Sequence, residues 1–260
     1  HNDYASVDQT GSGEGLGISI TVSGATVGDG TNAVFGAGGR AETYASSISL
    51  NLDGTLDGNV YGTGESAYTE VSDQVIVAIG NDVETKVDGN VFGAGMNGAT
   101  VANSISINIG NTGHESSVIG TVFGAGDGSS ATTDLSGSIG ITIIDSEVGN
   151  GTNAVFGAGN SASTNASNGS INVSIDGSKI EGNVFGTAST AKTEADSVSV
   201  SIGRDSMTTV DGTVFGAGYG SAAMTNLGGS IVITILNSTI GDGTNAVFGA
   251  GNSASTNASN

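Results

Sequence analysis

Few side chains in this 260-residue sequence are of the types that carry out catalysis. There is no cysteine, and the two histidines are His1 and His114. A serine or threonine nucleophile needs a general base within hydrogen-bonding reach, and that base is in turn oriented by a third group. His114 lies in a Gly-His-Glu connector that no other part of the chain repeats. We therefore predict that the chain is not an enzyme.

Two further patterns that bind substrates in some proteins are weak in this chain. Residues 11–15, Gly-Ser-Gly-Glu-Gly, resemble a phosphate-binding loop, but no Gly-Lys pair follows them or occurs elsewhere. The two arginines, Arg40 and Arg204, lie in different sequence contexts, so they do not form a repeated cationic group. We interpret residues 11–15 as part of a flexible lead-in.

Four acidic residues share one position, four residues before an aromatic residue: Asp57, Asp88, Glu181 and Asp211. If the units that carry them stack, carboxylates about 5 Å apart repel one another unless water or a cation separates them. Such oxygen ligands suit calcium, so these four residues are the candidate calcium ligands. The Gly-Gly-x-Gly-x-Asp repeat of calcium-binding β-helices is absent. The alternative is that the four are solvated turn acids, and no other metal or cofactor is expected.

The charge balance restricts the partners of the chain. Asp and Glu outnumber Lys and Arg by 25 to 5, which gives a formal net charge of −20. Nucleic acids and anionic lipid surfaces attract clusters of Lys and Arg, so we expect neither as a partner. No apolar run is long enough to span a membrane, so no membrane insertion is expected.

The aromatic residues indicate the elements that must position these side chains. A motif of the form Val-Phe-Gly-Ala-Gly occurs eight times; it contains all seven phenylalanines of the chain and, in one copy, a tyrosine. The aromatic positions, 26 to 33 residues apart, are Phe35, Tyr61, Phe92, Phe123, Phe156, Phe185, Phe215 and Phe248. Placement this regular predicts a structural ladder with one aromatic residue per repeating unit.

A second repeated element lies between the motifs and alternates apolar with small polar residues. Examples are Ser-Ile-Ser-Ile-Asn-Ile at 104–109 and Ser-Val-Ser-Val-Ser-Ile at 197–202. This alternation is typical of a half-buried strand. A weaker third strand is expected after each motif, with Ala131, Thr133 and Leu135 pointing inward in one copy. Asp-Gly and Asn-Gly pairs in the connectors supply corners.

These features predict an all-β fold, a parallel β-helix or β-solenoid of about eight coils of roughly 30 residues. Each unit is too small to bury its apolar face alone, but stacked units can do so. We expect a lead-in at 1–14 and a solenoid at 15–260. The expected coils 1 to 8 are residues 15–46, 47–72, 73–103, 104–137, 138–169, 170–196, 197–229 and 230–260.

The direction of the aromatic side chains is open at this point. Adjacent Val and Phe residues would point to opposite faces of a plain strand. We expect the Phe to point inward and the following glycines to let the Val turn inward as well. The alternative is an external aromatic ladder that packs between rods.

The end of the chain nearly repeats an earlier segment. Residues 149–168 recur as 241–260 with one difference, Asn150 against Asp242. No polar cap that would protect the strand edge of the last coil is apparent. We expect either a segment of a longer array or a subunit whose ends stack into a filament.

The alternation of the Val-Phe-Gly-Ala-Gly motif with Ser-Ile-Ser-Ile strands resembles the tandem repeats of large bacterial and archaeal surface proteins. These proteins are described as adhesin-like or autotransporter-passenger-like, and the resemblance extends from about Gly17 to Asn260. It implies a parallel β-helix and an extracellular or cell-surface location.

We therefore expect a non-enzymatic structural or adhesive surface protein that associates with itself, end to end or laterally, into fibres. Host or matrix surface ligands are the other expected partners. The alternative is an ice-binding solenoid that uses the outward Ser, Thr and Asn side chains of its strands. That outward face is mixed, and Ile76 and Ala78 interrupt it.

Overall fold

A computed structural model describes residues 16–241 and 246–258. These residues form parallel strands and no helix, and the strands stack into a β-solenoid of about eight turns roughly 30 residues apart. The predicted fold class is thus confirmed. The expected lead-in at 1–14, the Gly-rich segment 11–15, His1 and Asp242 lie outside the described residues.

The strands follow one another around each coil and pair with their equivalents in the next coil. In the first half of the chain they are β1 Ile18–Phe35, β2 Thr43–Ala45, β3 Ile48–Tyr61, β4 Thr69–Val71, β5 Gln74–Ile79, β6 Lys86–Val87, β7 Val91–Phe92, β8 Ala99–Ala102, β9 Ser104–Ile109, β10 Ser116–Val118, β11 Val122–Phe123 and β12 Thr132–Leu135. In the second half they are β13 Ile139–Ile144, β14 Ser146–Phe156, β15 Ser163–Asp176, β16 Lys179–Phe185, β17 Lys192–Ile202, β18 Thr208–Val210, β19 Val214–Phe215, β20 Met224–Leu227, β21 Ile231–Ile235, β22 Ser238–Ile240, β23 Val247–Phe248 and β24 Ser255–Ala258.

The alternating strand forms one wall of the solenoid, with its apolar side chains inside. The first apolar position of this wall is Ile18, Ile48, Val75, Ile105, Ile139, Ile171, Val198 and Ile231 in coils 1 to 8, each opposite the next. Because side chains alternate along a strand, the Ser and Asn residues between these positions face outward. Coils 2 to 7 bury their aliphatic positions almost completely.

The connector between the alternating residues and each Val-Phe motif also contains strand residues, either as a short separate strand or as part of a longer one. It has one buried apolar position per coil: Val27, Leu56, Val87, Val118, Val148, Ile180, Val210 and Ile240. The first and last are half-buried, and the six between them are at most 1% exposed. The sequence did not predict this pairing, because a single apolar residue among Asp, Gly and Ser is too short a pattern to indicate a strand.

The third strand is present after each motif and points as expected in the example given. Ala131, Thr133 and Leu135 are all buried. The central inward position of this strand is a threonine in every coil, which we call the threonine column: Thr43, Thr69, Thr100, Thr133, Thr164, Thr193, Thr225 and Thr256.

The glycine after each aromatic residue lets neighbouring coils approach closely. Its N–H donates to the carbonyl of the aromatic residue in the next coil, as from Gly93 to Phe123 at 2.9 Å. A Cβ added at Gly36, Gly62, Gly93, Gly124, Gly157, Gly186 or Gly216 would lie 2.1 to 2.4 Å from a backbone oxygen of that next coil. Only glycine fits this position without a shift of the backbone.

Candidate functional site

The eight aromatic rings form one continuous stack along the solenoid, which we call the aromatic stack. Consecutive ring centroids are 4.7 to 5.3 Å apart, and the ring planes are within 8° of parallel. The stack is Phe35, Tyr61, Phe92, Phe123, Phe156, Phe185, Phe215 and Phe248. Parallel, in-register strands place identical side chains one strand spacing apart, and this produces the stack.

The rings are buried but do not share the aliphatic core with the valines. The motif valines from Val60 to Val214 are fully buried in that core. The rings form a separate cluster on the other face of the same short strand, where all but Phe35 and Phe248 are at most 5% exposed. Both Phe and Val are thus buried, as expected, but they enter two separate clusters because the two-residue strand keeps the ordinary alternation of side chains. The external ladder is not seen, since the rings are covered.

A row of amide side chains runs along the solenoid beside the aromatic stack, and we call it the asparagine ladder. Its members are Asn32, Asn59, Asn90, Asn153 and Asn183. The Asn59 carboxamide oxygen accepts from the Asn90 N–H at 2.8 Å, and the Asn183 oxygen accepts from the next coil in the same way. Thr121 replaces the amide in coil 4 and donates its hydroxyl to the carbonyl of Asn153 at 2.8 Å.

The single tyrosine of the aromatic stack uses this amide edge. The Tyr61 hydroxyl donates to Asn32 Oδ1 at 3.0 Å and accepts from Asn59 Nδ2 at 3.1 Å. Burial of the ring raises the pKa of Tyr61 to about 12, because removal from water disfavours the phenolate. The tyrosine thus fits the stack because its hydroxyl ends at a position already lined by amides.

Coils 1 and 5 contain one extra residue in the motif, and a bulge absorbs it so that the asparagine ladder stays in register. Their motifs read Thr-Asn-Ala-Val-Phe, where coils 2 and 6 read Gly-Asn-Val-Tyr and Gly-Asn-Val-Phe. Asn32 lies opposite Asn59 and Val34 opposite Val60, so Ala33 is the residue taken up by the bulge. Asn153, Ala154 and Val155 repeat this arrangement. The insertion bends the backbone locally without moving the amide or the ring.

A column of hydroxyl side chains fixes the corner that precedes the short apolar strand. Thr85 Oγ1 donates to the carbonyl of Val83 and accepts from the N–H of Gly54 in the coil below. Ser178 Oγ likewise donates to Asp176 and accepts from the N–H of Ser146. Each hydroxyl therefore satisfies one carbonyl of its own coil and one N–H of its neighbour.

The four candidate calcium ligands lie on an outward face in two separate pairs. Asp88 is stacked on Asp57, and Asp211 on Glu181. Lysines neutralise part of this charge: Lys86 Nζ is 2.6 Å from Asp88, and Lys179 Nζ forms ion pairs with both Glu147 and Glu181. Among residues 16–241 and 246–258, no group of three or more His, Asp or Glu side chains is arranged to hold a metal ion.

The ion pairs of Lys179 shift its pKa and the pKa of Glu181. Hydrogen bonds to Glu147 and then Glu181 raise the pKa of Lys179 above its usual range. The bond from Lys179 lowers the pKa of Glu181. Both groups are exposed, so solvent screens these interactions and they contribute little to stability.

His114 lies at a shallow acidic corner and not in an enclosed site. Its N–H donates to the carbonyl of Asn111 at 2.9 Å. Glu84, Glu115 and Asp145 line the same open depression, and Asp145 accepts the N–H of Gly113 at 3.3 Å. No hydroxyl nucleophile is placed against the imidazole among the contacts that the structure describes there.

No family model, curated protein or solved structure matches this chain. Its function is therefore inferred from the geometry of its surfaces. Within the described ranges there is no helix long and apolar enough to cross a bilayer.

The outward faces differ from wall to wall. The wall formed by the alternating strands carries mainly small polar residues, interrupted by Ile76 and by Val232, which is 48% exposed. The wall formed by the third strands carries Glu42, Tyr44, Tyr68 and Glu70 in its first two coils. Sequence analysis did not identify this group, because its four members come together only through the pairing of β2 with β4.

Proposed function

We propose that this chain is a non-enzymatic structural or adhesive protein of the cell surface, in which the solenoid acts as a stacking rod. The observation that supports this most directly is the aromatic stack, which continues through all eight coils with one ring per coil. A column of this kind stabilises contacts between coils and offers no opening for a substrate. The resemblance of the motif to surface-protein repeats supports the same proposal.

The last described coil carries the apolar face that self-association would cover. Ile231, Ile233 and Ile235 of β21 are only half-buried, whereas Val200, opposite Ile233 in the coil before, is fully buried. A further coil placed on this face would cover the isoleucines and continue every column. Such a coil belongs either to a longer array or to another molecule, and the proposal covers both.

The proposal is tested by replacing one residue of this face in the purified chain. Ile233→Lys places a charge in the column that a further coil must cover, so it should abolish concentration-dependent assembly. Thr234→Lys adds the same charge to the outward face of the same strand and is the matched control. Sedimentation velocity and electron microscopy would measure the assemblies.

Assembly that is equal in the two variants, or absent from the unmodified chain at high concentration, would count against self-association of the solenoid by stacking. Location is tested separately by immunogold labelling of the cells that make the protein. Label confined to the interior of the cells would contradict the surface assignment.

Ice binding remains the second candidate function. The direction of the threonine side chains argues against it and for the stacking rod. The most regular threonine array of the molecule is the threonine column, whose side chains point inward. The outward positions of the alternating strands mix Ser, Thr, Asn, Gly, Ala, Ile and Val, with Thr in only three of the coils, at positions 21, 142 and 234, which gives an irregular lattice. A thermal-hysteresis assay separates the two candidates, and clear hysteresis would favour ice binding.

A further inference from the structure

The first two coils carry a compact group of acidic and aromatic side chains on the outward face of the third strands. β2 and β4 pair in parallel with Tyr44 opposite Glu70. The Thr43 N–H donates to the Tyr68 carbonyl, which places Glu42 beside Tyr68 one position earlier. Glutamate and tyrosine therefore alternate in a two-by-two arrangement, which we call the Tyr/Glu patch.

The patch presents parts of both tyrosine rings and two carboxylates to solvent. Tyr44 is 53% exposed, Glu42 and Glu70 are exposed, and Tyr68 is half-buried. The two rings are 5.9 Å apart and inclined by 55°. The hydroxyl of Tyr68 donates to Glu70 at 2.9 Å and that of Tyr44 to Glu42 at 3.4 Å. The phenol protons are thus already engaged, and what remains for a ligand is ring faces and carboxylate oxygens.

Ring faces and carboxylates together suit a cation. The face of a tyrosine ring is electron-rich and attracts ammonium and guanidinium groups, and a carboxylate accepts their hydrogen bonds. The net charge of −20 adds long-range attraction for a positively charged partner. An anionic or purely apolar partner would leave the carboxylates desolvated without a counter-charge.

The same two columns of the third-strand wall hold a cation of their own farther along the solenoid. Pairing through coils 3 to 5 places Glu194 in the column of Glu70 and Lys192 in the column of Tyr68. Lys192 Nζ is 2.7 Å from Glu194. In coils 1 and 2, two tyrosines and two glutamates fill these columns without a lysine.

The chain has few basic side chains with which to fill the patch. Four of the five Lys and Arg residues form ion pairs with other acids: Lys86, Lys179, Lys192 and Arg204. The fifth, Arg40, is exposed two residues before Glu42 and forms no ion pair among the described residues. It is the one internal competitor for the patch.

We propose that the Tyr/Glu patch is a docking site for a basic, lysine-rich segment of another protein, with one ammonium group held against the exposed ring faces of Tyr44 and Tyr68 and hydrogen-bonded to the carboxylates of Glu42 and Glu70. Further lysines of that segment would follow the acidic surface. This interaction goes beyond the stacking rod: the patch lies on a side wall and stays free when coils are added at the ends.

The test measures binding of a fluorescent peptide with lysines separated by Gly and Ser, at physiological ionic strength, by anisotropy. Tyr44→Ala with Tyr68→Ala leaves the net charge unchanged and should weaken binding by about tenfold, from two cation–π contacts. Tyr44→Phe with Tyr68→Phe keeps the rings and should bind within about threefold of the unmodified chain. Arg40→Gln should bind at least as tightly.

A charge-matched pair of variants separates the patch from general electrostatics. Glu42→Gln with Glu70→Gln should weaken binding more than Glu84→Gln with Glu115→Gln, which removes the same charge from exposed residues elsewhere. Circular dichroism and sedimentation confirm that each variant keeps the fold and the assembly state. Equal losses in the two pairs, or undiminished binding by the Tyr→Ala variant, would overturn the proposal.

Two further binding measurements use the unmodified chain. Methylammonium alone should bind at least a hundredfold more weakly than the peptide, since it lacks the further lysines. Equal affinity for both would assign the patch to small amines and overturn protein docking. An acetyl-lysine version of the peptide should not bind, and retained binding would also overturn the proposal.

Discussion

The hydroxyl groups of the threonine column differ in their hydrogen bonds although their positions are equivalent. Thr100 Oγ1 is 2.9 Å from Thr63 Oγ1, and Thr225 makes the same contact with Thr187. Thr133 Oγ1 is buried without a hydrogen-bond partner. A buried hydroxyl without a partner is destabilising, whereas a satisfied one is close to neutral. The column therefore provides equivalent positions with opposite expected responses to the same substitution.

Thr133→Val should stabilise the chain, by about 1 kcal/mol, because valine has the same shape and leaves no unpaired polar group. Thr100→Val should destabilise it by about 1 kcal/mol, because the Thr63 hydroxyl loses its partner in the core. Urea unfolding followed by circular dichroism measures both free energies. Changes of the same sign in the two variants would show that the hydrogen-bond difference does not determine the response.

Tyr61 gives the unfolding free energy a component that depends on alkaline pH. Its pKa is raised to about 12 from an ordinary value of 10, so the native state favours the protonated phenol. This contribution is fully present below pH 10 and is lost as the pH rises towards 12. Tyr61→Phe should cost about 1 kcal/mol at pH 8, because two hydrogen bonds are lost. The deficit should shrink or reverse by pH 12, and a deficit independent of pH would contradict this account.

At the scale of the elements, glycines determine how closely the coils approach. A Cβ at Gly124 would lie 2.1 Å from the carbonyl oxygen of Gly157 and 2.8 Å from Ile139 Cγ2. Gly124→Ala should therefore lower the free energy of unfolding by about 1–3 kcal/mol, as overpacking of a core does. Gly140 has nothing within 4 Å of an added Cβ, so Gly140→Ala is the matched control.

Gly140→Ala should be neutral or stabilising by about 0.5 kcal/mol, because alanine reduces the conformational freedom of the unfolded chain. Thermal unfolding of both variants measures the difference. Similar midpoints for Gly124→Ala and Gly140→Ala would mean that the coils can separate at the aromatic stack at little cost.

The sequence predicted the strands with a repeated pattern and missed the features that have none. Alternating Ile and Ser residues predicted the long strands, because the period of two is repeated over six residues. The eight aromatic positions predicted one repeated unit per coil. The short strand around Val118 was not predictable, since its one apolar residue has no periodic neighbours. The Tyr/Glu patch was missed because Tyr44 and Glu70 meet only through the pairing of two coils.

The separation of the rings from the aliphatic core was also beyond the sequence. Val122 and Phe123 are both apolar, so composition alone places them in one interior. Residues that follow the motif cover the ring face in at least two coils, where Met96 packs against the ring cluster and Tyr219 contacts Phe215. The motif glycines permit the backbone to turn there, but they do not specify the direction of the turn.

At the scale of the whole molecule, stability depends on contacts between neighbouring coils. Phe156 stacks on both Phe123 and Phe185, whereas the described neighbour of Phe248 is Phe215 alone. In a linear array of coils, the loss of stability on removing a ring should grow with the number of ring-to-ring interfaces that are lost. Phe156→Ala should cost about 3–5 kcal/mol, as for a buried aromatic residue. Phe248→Ala, half-buried with one ring neighbour, should cost less than half of that.

Urea unfolding measures both changes, and amide hydrogen exchange locates them. Phe156→Ala should raise the exchange of coils 4 to 6 first, while Phe248→Ala should affect only the last two coils. A uniform rise along the chain in both variants would show that the solenoid unfolds as a single unit.

The parallel pairing of all named strands also determines the symmetry of any assembly that continues the stack. A coil added in register must run in the same direction as the coil below it, so two molecules can join only through unlike ends. A two-fold dimer would place like ends together and reverse one set of strands. Contacts between unlike ends do not close unless the rotation between subunits brings them back into a ring. Growth by stacking would therefore give an open, polar polymer whose two tips expose different surfaces and elongate at different rates.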